Sequence, residues 1–199
     1  MRQIIRDLTI PESPVRITTL RKHTGRGCSV IRLLVFITLA IMLSREMAYA
    51  TGQQRQLDFY HTHTGENLTV VYHDGRDYIP AALEQINHFL GDFRSGDVHP
   101  MDPATLDILY RLKTELGVEN TFEIISGYRS PETNTMLRNQ GRGVARRSQH
   151  MEGTAIDIRL RGVETVRLRD AAIKLQLGGV GYYPESDFVH VDSARVRTW

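Results

Sequence analysis

Within Ser148-Gln-His-Met-Glu-Gly-Thr-Ala-Ile-Asp157, His150 and Asp157 stand at an H-x6-D spacing, and His190 follows Asp187 as D-x-x-H. Two imidazoles and one carboxylate are the donor set of a catalytic zinc, which takes three protein ligands and leaves a fourth position to water. Asp187, three residues ahead of the last ligand, is then free to take a proton from that water. Each residue alone has a plainer explanation. A lone histidine in a strand is more often a hydrogen-bonded structural residue, and His61, His63, His73, His88 and His99 are left unassigned on that ground. His63, which starts His-Thr-Gly-Glu in a turn, is read as structural as well.

Arg129 differs by its surroundings. It leaves a strand in Ser126-Gly-Tyr-Arg-Ser130 and stands immediately before a helix start, where it can point into a cleft. A guanidinium there could hold a substrate carboxylate or stabilise a developing oxyanion. A surface salt bridge is the plainer alternative. Arg138, Arg142, Arg146 and Arg147 form a basic loop beside the site in sequence, either a solvated loop or an attraction for carboxylates.

The elements that position these residues follow from periodicity. Residues 56–62 and 67–72 are two strand-like runs around Thr64-Gly-Glu66, which predicts a hairpin. From Pro80, Leu83, Ile86, Phe89, Leu90 and Phe93 recur at helical spacing. Asp102-Pro103 is a cap followed by proline at the first helical position, and Gly117 ends that helix. Phe122–Ile125 reads as a short strand, and Ser130-Pro131 opens a helix running towards Gly141. Over 154–160 the alternation sets Ile156, Ile158 and Leu160 against Ala155, Asp157 and Arg159. A helix is expected from about Thr165 to Leu177, stopped by Gly178-Gly179, and a last strand over Phe188–Asp192. The fold class is α+β, a small, mainly antiparallel sheet carrying the site with helices packed on it.

The chain has 199 residues, 41% apolar and 24% charged, with a net charge of +2. One main domain with a real core is expected. Residues 1–50 hold eight Lys/Arg against three Asp/Glu, so residues 51–199 carry a net −3, which argues against nucleic-acid binding. Basic residues up to Arg32 precede the apolar run Leu33–Leu43, and Ala48-Tyr-Ala50 supplies a small-x-small pattern. Residues 1–50 therefore read as an export signal, cleaved or kept as a membrane anchor, and 51–199 as one domain outside the cytoplasm. Cys28 precedes the apolar run, so the exported part has no disulfide and no thiol nucleophile. A monomer is the default.

Ser126-Gly-Tyr-Arg-Ser130, Ser148-x-His150-x-x-Gly153-x-Ala155-x-Asp157 and Phe188-Val-His190-Val-Asp192 with Arg197-x-Trp199 resemble the YcbK-like branch of the D-alanyl-D-alanine zinc peptidases. These peptidases belong to a wider group that includes lysostaphin-type enzymes and the hedgehog signalling domain. His63-Thr-Gly-Glu66 and Gly178-Gly-Val-Gly-Tyr-Tyr183 look like the same branch, so the resemblance spans roughly residues 56–199. It implies a periplasmic zinc murein endopeptidase cutting cross-links between peptidoglycan stem peptides, with Zn2+ at His150, Asp157 and His190. It further implies Asp187 as general base, Arg129 polarising the scissile carbonyl, and Ser148 as a support or substrate contact. Asp192 would support His190 from behind, as carboxylates behind metal-bound imidazoles do. The parent group also admits a D-alanyl-D-alanine carboxypeptidase, and its hedgehog-like members a non-catalytic zinc-containing binding module. The leader departs from the branch, since no Arg-Arg pair of a twin-arginine signal precedes the apolar run.

Overall fold

The computed structural model describes residues 52–141 and 144–199, together with Val35. The chain divides into two units, Met1–Ala48 and Tyr49–Trp199, and the second carries the fold described below. The apolar run 33–43, apart from Val35, and Ala48–Ala50 lie outside the described residues, as does Arg142. No helix among the described residues is long and apolar enough to cross a membrane.

Among the described residues the chain forms seven strands and four helices. Strands β1 (Arg55–His61) and β2 (Asn67–His73) form the expected hairpin, with Gly65 in the left-handed region. Helix α1 (Pro80–Phe89) and helix α2 (Pro103–Leu116) follow. Asp102 caps α2 by accepting the Ala104 N–H at 3.0 Å, and Gly117 ends it at φ 67°. Strand β3 (Phe122–Ser126) leads through a sharp loop to α3 (Pro131–Asn139), whose cap Ser130 accepts the Thr133 N–H at 3.2 Å. Strand β4 (Ala155–Leu160), helix α4 (Thr165–Leu175), strands β5 (Gly179–Tyr183) and β6 (Phe188–Asp192) and the two-residue β7 (Arg197–Thr198) complete the chain.

The sheet order is β2-β1-β3-β4-β6-β5-β7. The α+β class holds, but the sheet is mixed: β1–β3 and β5–β7 are parallel, and the other neighbours antiparallel. This corrects the small, mainly antiparallel sheet expected from sequence. Gly178-Gly179, expected only to stop a helix, also leads into β5, and β7 was not foreseen. Helix α4 ends two residues early at Leu175, where Gln176 takes a left-handed conformation.

The core lies between one face of the sheet and the helices. Leu57, Phe59, Tyr72, Ile86, Leu106, Leu109, Leu112, Phe122, Ile124, Ile156, Ile158 and Val189 are all fully or almost fully buried. Burying a large aliphatic or aromatic side chain contributes about 1.5–3 kcal/mol, so this layer fixes which face of β4 and β6 remains for chemistry.

Candidate metal centre and its cleft

Strands β4 and β6 are direct neighbours at the centre of the sheet, and their register sets Asp157 opposite His190. Val189 and Val191 enter the core, so the alternation of β6 turns His190 and Asp192 the other way. His150 comes from a 3-10 turn, Gln149–Glu152, immediately before β4. Ser148 caps that turn by accepting the His150 N–H, and Gly153 closes it at φ 67°. A side chain at Gly153 would run into the Pro100 carbonyl, so the turn needs glycine there for space as well as torsion.

His150 Nε2, Asp157 Oδ1 and His190 Nδ1 form a triangle with sides of 3.2, 2.8 and 3.2 Å. All three residues are buried. The other ring nitrogens are committed: His150 Nδ1–H donates to the Gly127 carbonyl at 2.7 Å, and His190 Nε2–H to Asp192 Oδ2 at 3.0 Å. Each imidazole therefore presents its remaining ring nitrogen to Asp157. Burial opposes charge on His190, but Asp157 and Asp192 on either side outweigh it and push its pKa up to about 9. Burial also works against the Asp157 carboxylate, yet the two histidines hold its pKa well below the usual range. His150 is pulled down, chiefly by burial. Three ligand atoms meet in one buried place, and the proton that the raised pKa keeps on His190 lies between it and Asp157; a metal cation takes the site by displacing that proton. A tetrahedral zinc with bonds of about 2.0–2.1 Å sets its ligands about 3.3–3.4 Å apart, close to this triangle. The donor set fits the metal.

Arg129 comes from the loop between β3 and α3. Its backbone N–H donates to the His150 carbonyl at 3.1 Å, and the neighbouring Tyr128 N–H to Leu90 O at 2.7 Å. Gly127 lies so close to Leu90 that a Cβ would meet its carbonyl oxygen. Buried Asp92 accepts the Ser130 N–H at 2.9 Å and fixes the far side of the loop. Thus anchored, the buried Arg129 guanidinium has long contacts, 3.4 Å to Ser126 Oγ and 3.7 Å to Asp157 Oδ2, and its Nε has no partner. Burial lowers its pKa against the pull of Asp157 and Asp92. Donor capacity is left over beside the metal triangle.

The triangle lies in a cleft of about 260 Å³, lined among others by Arg129, Arg147, Ser148, Tyr183, Phe188 and Trp199. Ser148, Arg129 and all three candidate ligands are thus brought together as the sequence implied, and Asp192 stands behind His190. Of the basic loop, Arg147 reaches the lining; Arg138 and Arg146 are exposed elsewhere. The aromatic wall went unassigned in the sequence. Trp199 Nε1–H donates to Tyr183 Oη at 2.9 Å, and Tyr183 stacks on Phe188 at 4.6 Å. The signal was there in Tyr182-Tyr183 and Arg197-x-Trp199, but without strand pairing nothing joined them.

Asp187 is not brought into this cleft. It lies at φ 51° after a 3-10 turn, Pro184–Ser186, with its carboxylate exposed. Thr165 Oγ1–H donates to it at 2.8 Å and Arg159 Nε lies 3.4 Å away, in a groove also lined by Glu123. The physical reason is local: Asp187 stands just before β6 in a left-handed conformation, so the alternation that sets Phe188 and His190 on the cleft side does not extend to it.

The sequence matches the Peptidase_M15_2 family model, described as Peptidoglycan L,D-endopeptidase MepK, over residues 49–199. It is 43% identical over 173 residues to the peptidoglycan L,D-endopeptidase MepK of Escherichia coli (strain K12), covering 87% of this chain and 90% of the relative. The same figures hold for the protein of that name in Shigella flexneri. A probable peptidoglycan L,D-endopeptidase MepK of Haemophilus influenzae is 43% identical over 151 residues, 75% of this chain and 81% of the relative.

Proposed function

We propose a function from the premise that this chain belongs to the Peptidase_M15_2 family: it is a hydrolase that cuts peptide cross-links in peptidoglycan. The observation that carries the reading is the buried triangle of ligand atoms from His150, Asp157 and His190, with the spare donors of Arg129 beside it. Those three residues hold zinc. When bound, zinc acidifies a water and polarises a carbonyl as a Lewis acid.

The chain's own groups do the rest. Arg129 donates to the carbonyl oxygen as charge develops on it, from a buried position where such a bond is worth more than in water. Ser148 keeps the His150 turn in shape and borders the substrate. Arg147 attracts the carboxylates of stem peptides, and Tyr183 and Trp199 form a wall against which the chain lies. Asp187 accepts the proton and returns it to the leaving amine. To do so, its carboxylate must release Thr165 and Arg159 and turn to the cleft side. The bond cut joins an L- to a D-configured residue, as in the names of the relatives, and the work is done outside the cytoplasm after export by residues 1–50.

The test is digestion of purified peptidoglycan with and without added zinc, with products identified by mass. Zinc-dependent conversion of cross-linked dimers to monomers, cut between an L and a D centre, is the expected result. Release of terminal D-alanine alone would make the protein a carboxypeptidase; no product from zinc-loaded protein would make it a binding module. Asp187→Asn should abolish turnover while zinc stays bound, and unchanged turnover removes Asp187 from the mechanism.

A further inference from the structure

Asp192 is completely buried, yet it lies behind a candidate ligand rather than in the cleft. Its two oxygens accept five hydrogen bonds. Oδ2 takes His190 Nε2–H at 3.0 Å and Arg197 NH2 at 2.7 Å. Oδ1 takes Arg197 NH1 at 2.9 Å, Ala194 N–H at 3.0 Å and Gly179 N–H at 3.2 Å. The arginine thus grips both oxygens in a fork that fixes the plane of the carboxylate, which a lysine cannot do. That plane in turn sets which way the His190 ring faces.

Arg197 is itself positioned by β5 and by Trp199. Strand β7 pairs with β5 so that Arg197 stands opposite Gly179, where a side chain would collide with both Arg197 and Asp192. The Trp199 ring lies 4.8 Å from the guanidinium and 5.2 Å from the His190 ring, in space that a side chain at Gly181 would fill. Arg197 NH1 also donates to Arg195 O at 3.0 Å. With both terminal nitrogens engaged, Arg197 is not a free clamp for substrate anions.

We infer that β7 belongs to the metal centre: Arg197 is a positioning residue that, through Asp192, holds His190 with Nδ1 turned towards the metal. Without the arginine, a buried carboxylate loses its counter-charge and its fixed plane, and His190 loses its orientation. The inference rests on the zinc reading above.

The experiment measures zinc affinity of the full-length protein by competition with a chromophoric chelator, beside the melting temperature of the chelated protein. The variants are Arg197→Gln, Arg197→Lys and, as control, the exposed Arg195→Ala. Affinity should fall about 10–100-fold in R197Q, fall less in R197K, and stay unchanged in R195A. Melting of the chelated R197Q protein should shift far less than that of the loaded one. Wild-type affinity in R197Q, or an equal loss in R195A, overturns the inference. Should R197Q fail to fold, R197K decides: weakened affinity supports the inference and unchanged affinity overturns it. Wild-type protein that binds no zinc overturns the metal reading itself, a failure distinct from zinc bound equally by all variants.

Discussion

Two polar clusters in this protein are each built around a carboxylate, and they differ in where the hydrogens go. At Asp107 on α2, Arg55 NH1 donates at 2.6 Å, Tyr72 Oη at 2.9 Å and Tyr78 Oη at 2.8 Å. Burial works against this carboxylate, but the bonds from Arg55, Tyr78 and Tyr72 outweigh it and lower its pKa. Donors surround the acceptor, so the cluster is complete as it stands. At Asp157 the other ring N–H groups are spent on Gly127 and Asp192, and the three ligand atoms that remain face one another around the proton that the raised pKa keeps on His190. The arginines differ in the same way: Arg55 is tightly paired, while Arg129 is buried with long contacts and an unpartnered Nε. A saturated cluster holds a fold together. One whose ligand atoms are held together by a displaceable proton, with a buried guanidinium that still has donors to spare beside it, is built to receive something.

The largest expected effect follows from removing a ligand. His150→Ala should lose bound zinc and bring peptidoglycan cleavage to background, measured by metal analysis and product mass. Retained stoichiometric zinc would place the metal elsewhere and break the comparison.

Arg129→Ala comes next. Losing an electrophilic donor of this kind costs about 2.7–4 kcal/mol, a hundredfold or more in kcat, with zinc still bound. Near-normal kcat would make Arg129 a structural arginine like Arg55.

Asp107→Ala should move the other observable. It strands the hydroxyl of buried Tyr72 and the Arg55 guanidinium, a loss of about 1–3 kcal/mol. In a chain of this size that lowers Tm by about 2–4 °C per kcal/mol, with kcat of the folded protein unchanged.

The pH response is the smallest and separates the clusters by sign. Asp107's lowered pKa contributes stability that is present above the ordinary carboxylate pKa and lost as pH falls through the folded value. Asp107→Ala should flatten that acid limb. His190's raised pKa contributes stability that is full below about 6.5 and lost as pH rises through about 9. Chelated protein should therefore show an alkaline decline that zinc-loaded protein lacks. Identical alkaline limbs in denaturation series with and without zinc would refute the link.

Much of the site was legible because strand alternation is local. Ile156, Ile158, Val189 and Val191 point to one side of their strands, so Asp157 and His190 had to share the other. The helix starts at Asp102-Pro103 and Ser130-Pro131 were legible for the same reason, since a cap and a proline act within one turn. Other features were not local. Strand β5 is glycine-rich because Arg197 and Trp199 occupy the space where side chains would stand, and glycine alone reads as a helix stop. Asp187 belonged with His190 by spacing, but its left-handed torsion just before β6 leaves it paired with Thr165 instead.

By itself, then, the sequence determined the types of the three candidate ligands, the strand faces that carry Asp157 and His190, and the loop that presents Arg129. Only the tertiary structure decided that Asp157 stands opposite His190, that His150 reaches both from a 3-10 turn, and that Arg197 closes the arrangement from behind. Spacing along a chain sets the side a residue faces. Which ligand atoms meet depends on strand register and on backbone torsions fixed by distant packing.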